Sequence, residues 1–192
     1  MSKSDQKKIV GGILSAIILV LGIWQASLLG SSSPADDEQE ADFAEQQNIP
    51  AGFAPFGRVI DGDTIEIAYS KTDKYPVRLI GINAPESVDP RKEVECFGQE
   101  ASDHLKELIN MKYVRLSTDP SQPGEDKYDR WLRYVYMESG MDLGLQMIKD
   151  GYAFEYTYDT PYTNQQAYRA AQAAAKAAKI GLWSPETCNG KP

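Results

Sequence analysis

Apolar and polar side chains alternate along the middle of the chain, and this pattern predicts a series of short β-strands. Alternation over residues 58–69, on both sides of an Asp-Gly turn, predicts two strands that form a hairpin. Residues 75–82 predict a third strand, which ends where Pro85 and its neighbours introduce a turn. Residues 113–117 and 131–137 are rich in β-branched and aromatic side chains, which favour strands.

A repeat of three to four residues between apolar positions predicts helices in the second half of the chain. Residues 98–110 place their apolar side chains on one helical face. Residues 141–150 predict a second helix, which ends at Gly151. Residues 164–179 are rich in alanine, a strong helix former, and Gly181 follows them. The order of elements predicts an α+β fold, with a small barrel and helices packed on its outside.

A long apolar run near the start of the chain predicts a membrane segment. Residues 9–29 carry no charge and span about 21 residues, or roughly 31 Å as a helix, which is enough to cross a bilayer core. Lys3, Lys7 and Lys8 precede the run, which places residues 1–8 in the cytoplasm and the remainder outside. We therefore predict a single-pass anchor in the cell membrane. A cleaved signal peptide begins in the same way and would give a secreted protein instead.

Charge divides the predicted exterior part into a linker and a folded domain. Residues 31–50 carry six acidic side chains and no basic one, so residues 30–52 are predicted to be a disordered, self-repelling linker. Residues 53–192 then form the one folded domain. The net charge of the chain is −8, which argues against tight nucleic-acid binding unless a local basic cluster or a bound cation offsets it.

The scarcity of cysteine and histidine limits the chemistry that the chain can support. With two cysteines and one histidine, a zinc site built by the protein is excluded, and hard cations bound by oxygen remain. Because exported thiols tend to pair, we predict a disulfide between Cys96 and Cys188. Two unpaired, buried thiols are the alternative. His104 is predicted to lie on the surface of its helix.

Three short polar segments contain the candidate chemistry. Residues 61–64 place two carboxylates at a tight turn. In residues 78–86, Arg78 lies within an apolar strand and needs an anionic partner, while Glu86 follows a proline that fixes its position. Residues 126–130 combine lysine, tyrosine and arginine, which suit contacts with phosphate and sugar. Each segment alone also fits a structural turn or ion pair.

Together, the three segments resemble the staphylococcal nuclease (thermonuclease) family. Residues 151–158 and 181–184 also match the family pattern, and the resemblance covers roughly residues 58–184. It implies an OB-fold, a five-stranded β-barrel with about three helices. It also implies a calcium-dependent, extracytoplasmic nuclease that hydrolyses DNA and RNA to products with 3′-phosphate ends.

The resemblance implies a calcium site of oxygen ligands. Asp63 and Asn83 would bind through their side chains, and Ala84 through its backbone carbonyl. Asn83 stands where the founding nuclease of the family has Asp, so one negative charge is missing from the site. We therefore expect calcium affinity in the millimolar range that is typical of extracellular calcium modules. Ala84 replaces a threonine, which matters little if only its carbonyl binds.

The resemblance also assigns catalytic and substrate-binding roles. Glu86 would be the general base acting on a water, while Arg78 and Arg130 would neutralise the charge on the phosphate. A phosphodiester repels hydroxide, so its hydrolysis needs such positive charge and a proton acceptor. The expected contacts to the terminal phosphate and to the nucleotide come from the same family pattern: Lys127, Tyr128, Tyr156 and Tyr158.

The expected partners are DNA and RNA, with single-stranded or unpaired regions favoured, and the membrane through the N-terminal helix. No protein partner is evident, and a monomer is expected. The alternative function is a catalytically idle OB-fold module that binds nucleic acid or another surface polymer. A purely structural surface domain is a second alternative.

Overall fold

The computed structural model describes residues 49–88 and 94–191. The predicted cytoplasmic segment, the predicted membrane anchor at residues 9–29 and most of the predicted linker therefore lie outside the described residues. Within the described ranges, no helix combines the length and apolar character needed to cross a membrane.

Five strands of the described domain form a closed barrel in the order β1-β2-β3-β6-β5, and two short strands, β4 and β7, form a separate pair. The strands are β1 (Ala54–Asp61), β2 (Thr64–Ala68), β3 (Lys74–Leu79), β4 (Ile82–Asn83), β5 (Tyr113–Ser117), β6 (Trp131–Tyr136) and β7 (Phe154–Glu155). All neighbouring barrel strands are antiparallel except β3 and β6, which run parallel. The barrel fits the OB-fold that the resemblance implies.

Three α-helices accompany the barrel, as the apolar repeats predict. They are α1 (Gly98–Leu108), α2 (Leu143–Lys149) and α3 (Gln165–Ala178), and a 3-10 helix (Gly181–Trp183) follows α3. Asp142 caps α2, because its carboxylate accepts the backbone N–H of Leu145 at 3.1 Å. The α+β class predicted from the sequence is therefore confirmed.

The barrel core is built by the inward faces of the predicted strands. Ile65, Ile67 and Val77 are fully buried on β2 and β3, which confirms the alternation read from the sequence. The β1–β2 turn lies against other elements, because a Cβ at Gly62 would be 2.7 Å from the Cβ of Ala84. Only glycine fits there without a shift of the neighbouring backbone.

The prediction that one strand covers residues 75–82 is wrong. The third strand ends at Leu79, and Ile82–Asn83 forms β4, which pairs with β7 instead. The break comes at Gly81, whose φ of +82° is a left-handed conformation that favours glycine. A Cβ at this position would also overlap the ring of Tyr162, at 2.5 Å.

His104, predicted to lie on the surface of its helix, is only partly exposed there. Its side chain is only 18% exposed, and its ring stacks on Tyr152 with 3.9 Å between the ring centroids. Its Nε2 lies 2.9 Å from the carboxylate of Asp150, at the end of α2. Through its contact with Asp150, His104 helps to join α1 to α2.

The disulfide between Cys96 and Cys188 is confirmed, with 5.9 Å between the two Cα atoms. It joins the segment before α1 to the tail that follows the 3-10 helix, across a sequence separation of 92 residues. On a chain-entropy basis, closing a loop of this size stabilises a protein by up to about 4–5 kcal/mol.

Candidate active site

A cavity of about 580 Å³ opens beside β3 and β4, between the loop before β6 and the segment after β7. Most of the residues singled out in the sequence analysis line it. They are Arg78, Asn83, Lys127, Tyr128, Arg130, Tyr156 and Tyr158. Asp63, Ala84 and Glu86 are described too, but they are not among the residues that line this cavity. The structure thus brings seven of the ten predicted catalytic, metal and substrate-binding residues to one cavity, and the other three do not line it.

The parallel pairing of β3 with β6 brings the two arginines to one cavity. Arg78 lies on β3 opposite Leu132, and Arg130 immediately precedes β6. The arginines come from segments 52 positions apart in the chain, and both line the cavity. Guanidinium groups match the geometry of phosphate oxygens, so the cavity presents two groups suited to an anionic ligand.

Arg78 is held by a dense set of acceptors and is only 12% exposed. Its Nη2 lies 2.8 Å from Oδ2 of Asp63 and donates to Oδ1 of Asn83 at 3.2 Å. Its Nη1 donates to the carbonyls of Leu79 and Ile82 at 3.0 and 2.8 Å. Asp63 is therefore the anionic partner that an arginine within an apolar strand requires.

Two of the oxygens expected to bind calcium contact the same nitrogen atom, Nη2 of Arg78. Oδ2 of Asp63 and Oδ1 of Asn83 both contact Nη2 of Arg78, so a cationic group already lies between them. Oδ2 of Asp63 also accepts the backbone N–H of Ala84 at 3.0 Å. These are hard oxygen donors of the kind that Ca²⁺ prefers, and a bound ion would have to replace Nη2 of Arg78 as their cationic partner.

The expected calcium ligands, Asp63, Asn83 and the carbonyl of Ala84, include only one negatively charged group. In the described part of the chain, no three acidic, histidine or cysteine side chains are grouped so as to hold a metal ion. One carboxylate, one amide and one backbone carbonyl would leave further coordination positions to water and substrate. The donor set therefore supports a weak, open site.

We expect Asn83→Asp to tighten calcium binding by about tenfold or more, because it adds a second carboxylate to the donor set. Isothermal titration calorimetry of the wild type and the variant would measure the change. Asn110→Asp, at an exposed position that does not line the cavity, is a matched control with the same added charge. Equal affinities in Asn83→Asp and the wild type would contradict the assignment of Asn83 as a ligand.

Glu86 lies three positions after Asn83 and is not among the residues that line the cavity. Its Oε1 accepts the backbone N–H of Val88 at 2.8 Å, which fixes one carboxylate oxygen. Its charge is close enough to raise the pKa of Asp61. Glu86 therefore belongs to a group of carboxylates on the barrel side of the site.

Asp61 is a member of this group to which the sequence analysis gave no role. It is buried, and burial is the main cause that raises its pKa to about 6, with the negative charges of Asp63 and Glu86 adding to the effect. Its Oδ1 accepts the Ser87 hydroxyl at 2.6 Å and the N–H of Gly62 at 2.8 Å, and both bonds oppose the rise. The feature of the sequence that could have pointed to Asp61 is its place as the first acid of the Asp-Gly-Asp turn.

We expect Asp61 to make the protein less stable as pH rises. Its pKa is raised from 3.8 to about 6 in the folded protein, so its stabilising contribution is complete below pH 3.8 and is lost as the pH rises through 6. The loss amounts to at most about 3 kcal/mol. Asp61→Asn keeps an oxygen acceptor for Ser87 and removes the titration. Urea unfolding in the presence of chelator measures the free energy of unfolding at pH 4 and pH 7. Between these pH values it should fall less in Asp61→Asn than in the wild type; an identical fall would refute this.

Asp126 organises the loop that carries Arg130, and no role was predicted for it from the sequence. Its Oδ2 lies 2.8 Å from Nε and 2.6 Å from Nη2 of Arg130. Its Oδ1 accepts the backbone N–H groups of Tyr128 and Arg130 at 2.9 and 3.1 Å. Burial raises the pKa of Asp126, but these hydrogen bonds outweigh it and leave the pKa below its usual value. Asp126 thus orients the guanidinium edge of Arg130.

Exposed tyrosines border the cavity. Tyr128, Tyr156 and Tyr158 are 65%, 44% and 70% exposed, which is unusual for large aromatic side chains. Nζ of Lys127 lies 5.0 Å from the centroid of the Tyr128 ring, and the rings of Tyr156 and Tyr158 are 6.4 Å apart. The N–H of Tyr156 donates to the carbonyl of Gly81, which fixes this rim to the end of β3. Aromatic faces and cations around one cavity suit a nucleotide ligand.

The family model described as "Staphylococcal nuclease homologue" matches residues 76–185, more than half of the chain. The chain belongs to the staphylococcal nuclease family. The matched range includes both arginines, Glu86 and all four predicted substrate-binding residues. It begins within β3, so the Asp-Gly-Asp-Thr turn lies outside it.

Curated members of the family are similar to most of the described domain. The chain is 36% identical over 127 residues to "Thermonuclease" from Staphylococcus hyicus, a match that covers 66% of this chain and 73% of that protein. It is 35% identical over 130 residues to "Endonuclease YncB" from Bacillus subtilis (strain 168), covering 66% of this chain and 59% of that protein. It spans only 11% of "Endonuclease YhcR" from the same organism, at 33% identity over 135 residues.

Proposed function

We propose that this chain is a calcium-dependent nuclease that hydrolyses phosphodiester bonds of DNA and RNA to products with 3′-phosphate ends. One observation carries the proposal: Arg78 and Arg130 line the same cavity from adjacent parallel segments. A binding module can hold a phosphate with such groups too, so the proposal also depends on a nearby proton acceptor. Glu86, which lies next to the segment that lines the cavity, supplies that group.

The residues of the chain suit the individual steps of the hydrolysis. Glu86 would accept a proton from water, and the resulting nucleophile would attack phosphorus while the bond to the 5′-oxygen breaks. The leaving 5′-oxygen would take a proton from solvent and depart as a hydroxyl. Arg78 and Arg130 would stabilise the added negative charge on the phosphate oxygens. Calcium, held by Asp63, Asn83 and the carbonyl of Ala84, would polarise the phosphate and bind water.

The rim of the cavity would hold the nucleotides around the scissile bond. Lys127 would pair with a terminal phosphate as a point charge, and Tyr128 would donate its hydroxyl to the same group. Tyr156 and Tyr158 would pack against a base or sugar, because their exposed faces border the cavity. Stacking favours unpaired bases, so single-stranded or unpaired regions should be cut faster.

The proposal includes a location outside the cytoplasm. The apolar run at residues 9–29 and the lysines before it support a membrane anchor with the nuclease domain outside. The same segment would give a secreted monomer if it were cleaved. Fractionation of expressing cells tests this: release of the full chain from membranes by detergent, but not by salt, supports the anchor.

A nuclease assay on the full chain tests the proposed activity. The detergent-solubilised protein is incubated with plasmid DNA and with RNA, in calcium or in chelator, and product ends are labelled to distinguish 3′-phosphate from 3′-hydroxyl. Calcium-dependent degradation to 3′-phosphate ends supports the proposal. Loss of degradation in Glu86→Gln would show that the activity belongs to this chain and not to a contaminant.

One observation favours the alternative, a catalytically idle module that binds nucleic acid. Glu86 is not among the residues lining the cavity, whereas the aromatic and cationic residues are. Binding of fluorescent single-stranded DNA with no degradation under any calcium concentration would establish the module instead. Neither binding nor degradation would favour a purely structural surface domain.

A further inference from the structure

We propose that Glu95 is a positioning residue that holds Glu86 in place for catalysis, and that the Cys96–Cys188 disulfide holds Glu95 in turn. The inference rests on the proposed function, in which Glu86 accepts the proton of the attacking water. Glu95 itself does not touch the reacting atoms. It acts through the backbone of Glu86.

Two hydrogen bonds join the two glutamates. Oε2 of Glu95 accepts the backbone N–H of Glu86 at 2.9 Å, and the N–H of Glu95 donates to the carbonyl of Glu86 at 2.9 Å. These two groups of Glu86 belong to the peptide planes on either side of its Cα. Because both planes are fixed, the direction in which the Glu86 side chain leaves the backbone is fixed as well.

The start of α1 supports the same peptide from a third direction. A Cβ at Gly98 would lie 2.6 Å from the carbonyl oxygen of Glu86 and 3.3 Å from that of Pro85. Helix α1 therefore begins in direct contact with the Pro85–Glu86 backbone. Pro85 adds a fixed φ on the N-terminal side. A general base needs this precision, because a displacement of about 1 Å can lower a rate by about 100-fold.

The disulfide fixes the segment from which Glu95 reaches Glu86. Cys96 follows Glu95 directly, and its partner Cys188 is buried at 8% exposure. The tail around Cys188 is attached to the 3-10 helix, because the N–H of Gly190 donates to the carbonyl of Leu182 at 2.7 Å. Cys96 is exposed, so a reductant in solution can reach the bond. Reduction would release Glu95 from this support.

The positioning of Glu86 requires the acceptor oxygen of Glu95 and does not require its negative charge. Glutamine retains an oxygen that can accept the N–H of Glu86, whereas alanine removes it. A second negative charge beside a general base would mainly alter the base's proton affinity. Glu95→Gln and Glu95→Ala therefore separate positioning from an electrostatic effect.

The experiment measures kcat and KM of the full chain for a single-stranded DNA substrate in saturating calcium. We expect Glu95→Ala to lower kcat by about 10- to 100-fold with a nearly unchanged KM, and Glu95→Gln to retain most of the kcat. Glu100→Ala, an exposed glutamate in the first turn of α1, is the matched control and should equal the wild type. Amide hydrogen exchange at Glu86, read by NMR, should accelerate in Glu95→Ala but not in Glu95→Gln.

Reduction of the disulfide tests the second half of the inference. A thiol reductant should lower the kcat of the wild type several-fold, but should lower that of Glu95→Ala little further, since both act through the same contact. Equal falls in the two proteins would overturn the role of the disulfide. If the wild type cleaves DNA and Glu86→Gln does not, an unchanged kcat in Glu95→Ala overturns this inference alone. An inactive wild type overturns the proposed function and this inference together.

Discussion

Glu86→Gln is expected to lower kcat by about 10²- to 10⁴-fold while the protein remains folded, which is the usual contribution of a general base. The amide oxygen of glutamine can still accept the N–H of Val88, the bond that Oε1 of Glu86 makes at 2.8 Å. The backbone contacts of Glu86 with Glu95 do not involve the substituted side chain. The variant therefore removes the proton acceptor and leaves these hydrogen bonds possible. Steady-state kinetics on DNA and RNA would measure the loss.

The stability of Glu86→Gln distinguishes a loss of catalysis from a loss of folding. Thermal unfolding should give Glu86→Gln a midpoint close to that of the wild type, and Glu100→Gln should match the wild type in both stability and kcat. Near-normal turnover in a folded Glu86→Gln protein would remove Glu86 from the mechanism. The base would then have to be sought among the other carboxylates of the site, Asp61 first.

Arg130→Lys is expected to lower kcat by about 10²- to 10³-fold, the typical loss when one donor to a transition-state oxyanion is removed. Lysine keeps the positive charge but offers one nitrogen in place of a planar fork. Arg130 directs both Nε and Nη2 to Asp126, so the orientation of its guanidinium depends on that fork. A lysine could pair with Asp126 or reach the phosphate, but it could not do both in the geometry of arginine.

The matched control for this prediction is Arg58→Lys, on the exterior of the barrel. Arg58 is 61% exposed and pairs with Glu66 at 3.3 Å, and exposed pairs of this kind contribute little. This variant should retain wild-type kinetics. If Arg130→Lys also retained wild-type kinetics, a positive charge at this position would be sufficient for catalysis. The two-nitrogen geometry of the Arg130 guanidinium would then have no catalytic role.

Local patterns in the sequence predicted most elements because most contacts that define them are local. The hairpin of β1 and β2 follows from alternation around one turn, and α3 follows from helix propensity. The break of the third strand at Gly81 was not predicted, and the close packing of Tyr162 on this glycine joins positions 81 residues apart in the chain. The pattern of residues 75–82 alone is continuous and gives no sign of that contact.

The candidate site was predictable to the extent that its chemistry is visible in residue types. Arg78 in an apolar strand required an anionic partner, and Asp63 is that partner. The roles of Asp61 and Asp126 were not predictable, because one depends on burial and the other on which way a loop folds back. Hydrogen bonds between Glu86 and Glu95 likewise could not be predicted, because a spacing of nine residues does not determine whether two residues meet.

Closure of the barrel bears on how the protein behaves at high concentration. Strand β1 pairs with β2 on one side and with β5 on the other, so in the described residues the barrel sheet has no terminal edge strand. Such edge strands are the usual templates on which a second polypeptide adds a strand and aggregation starts. A domain built this way can be displayed on a crowded surface with little tendency to form intermolecular sheets through its barrel.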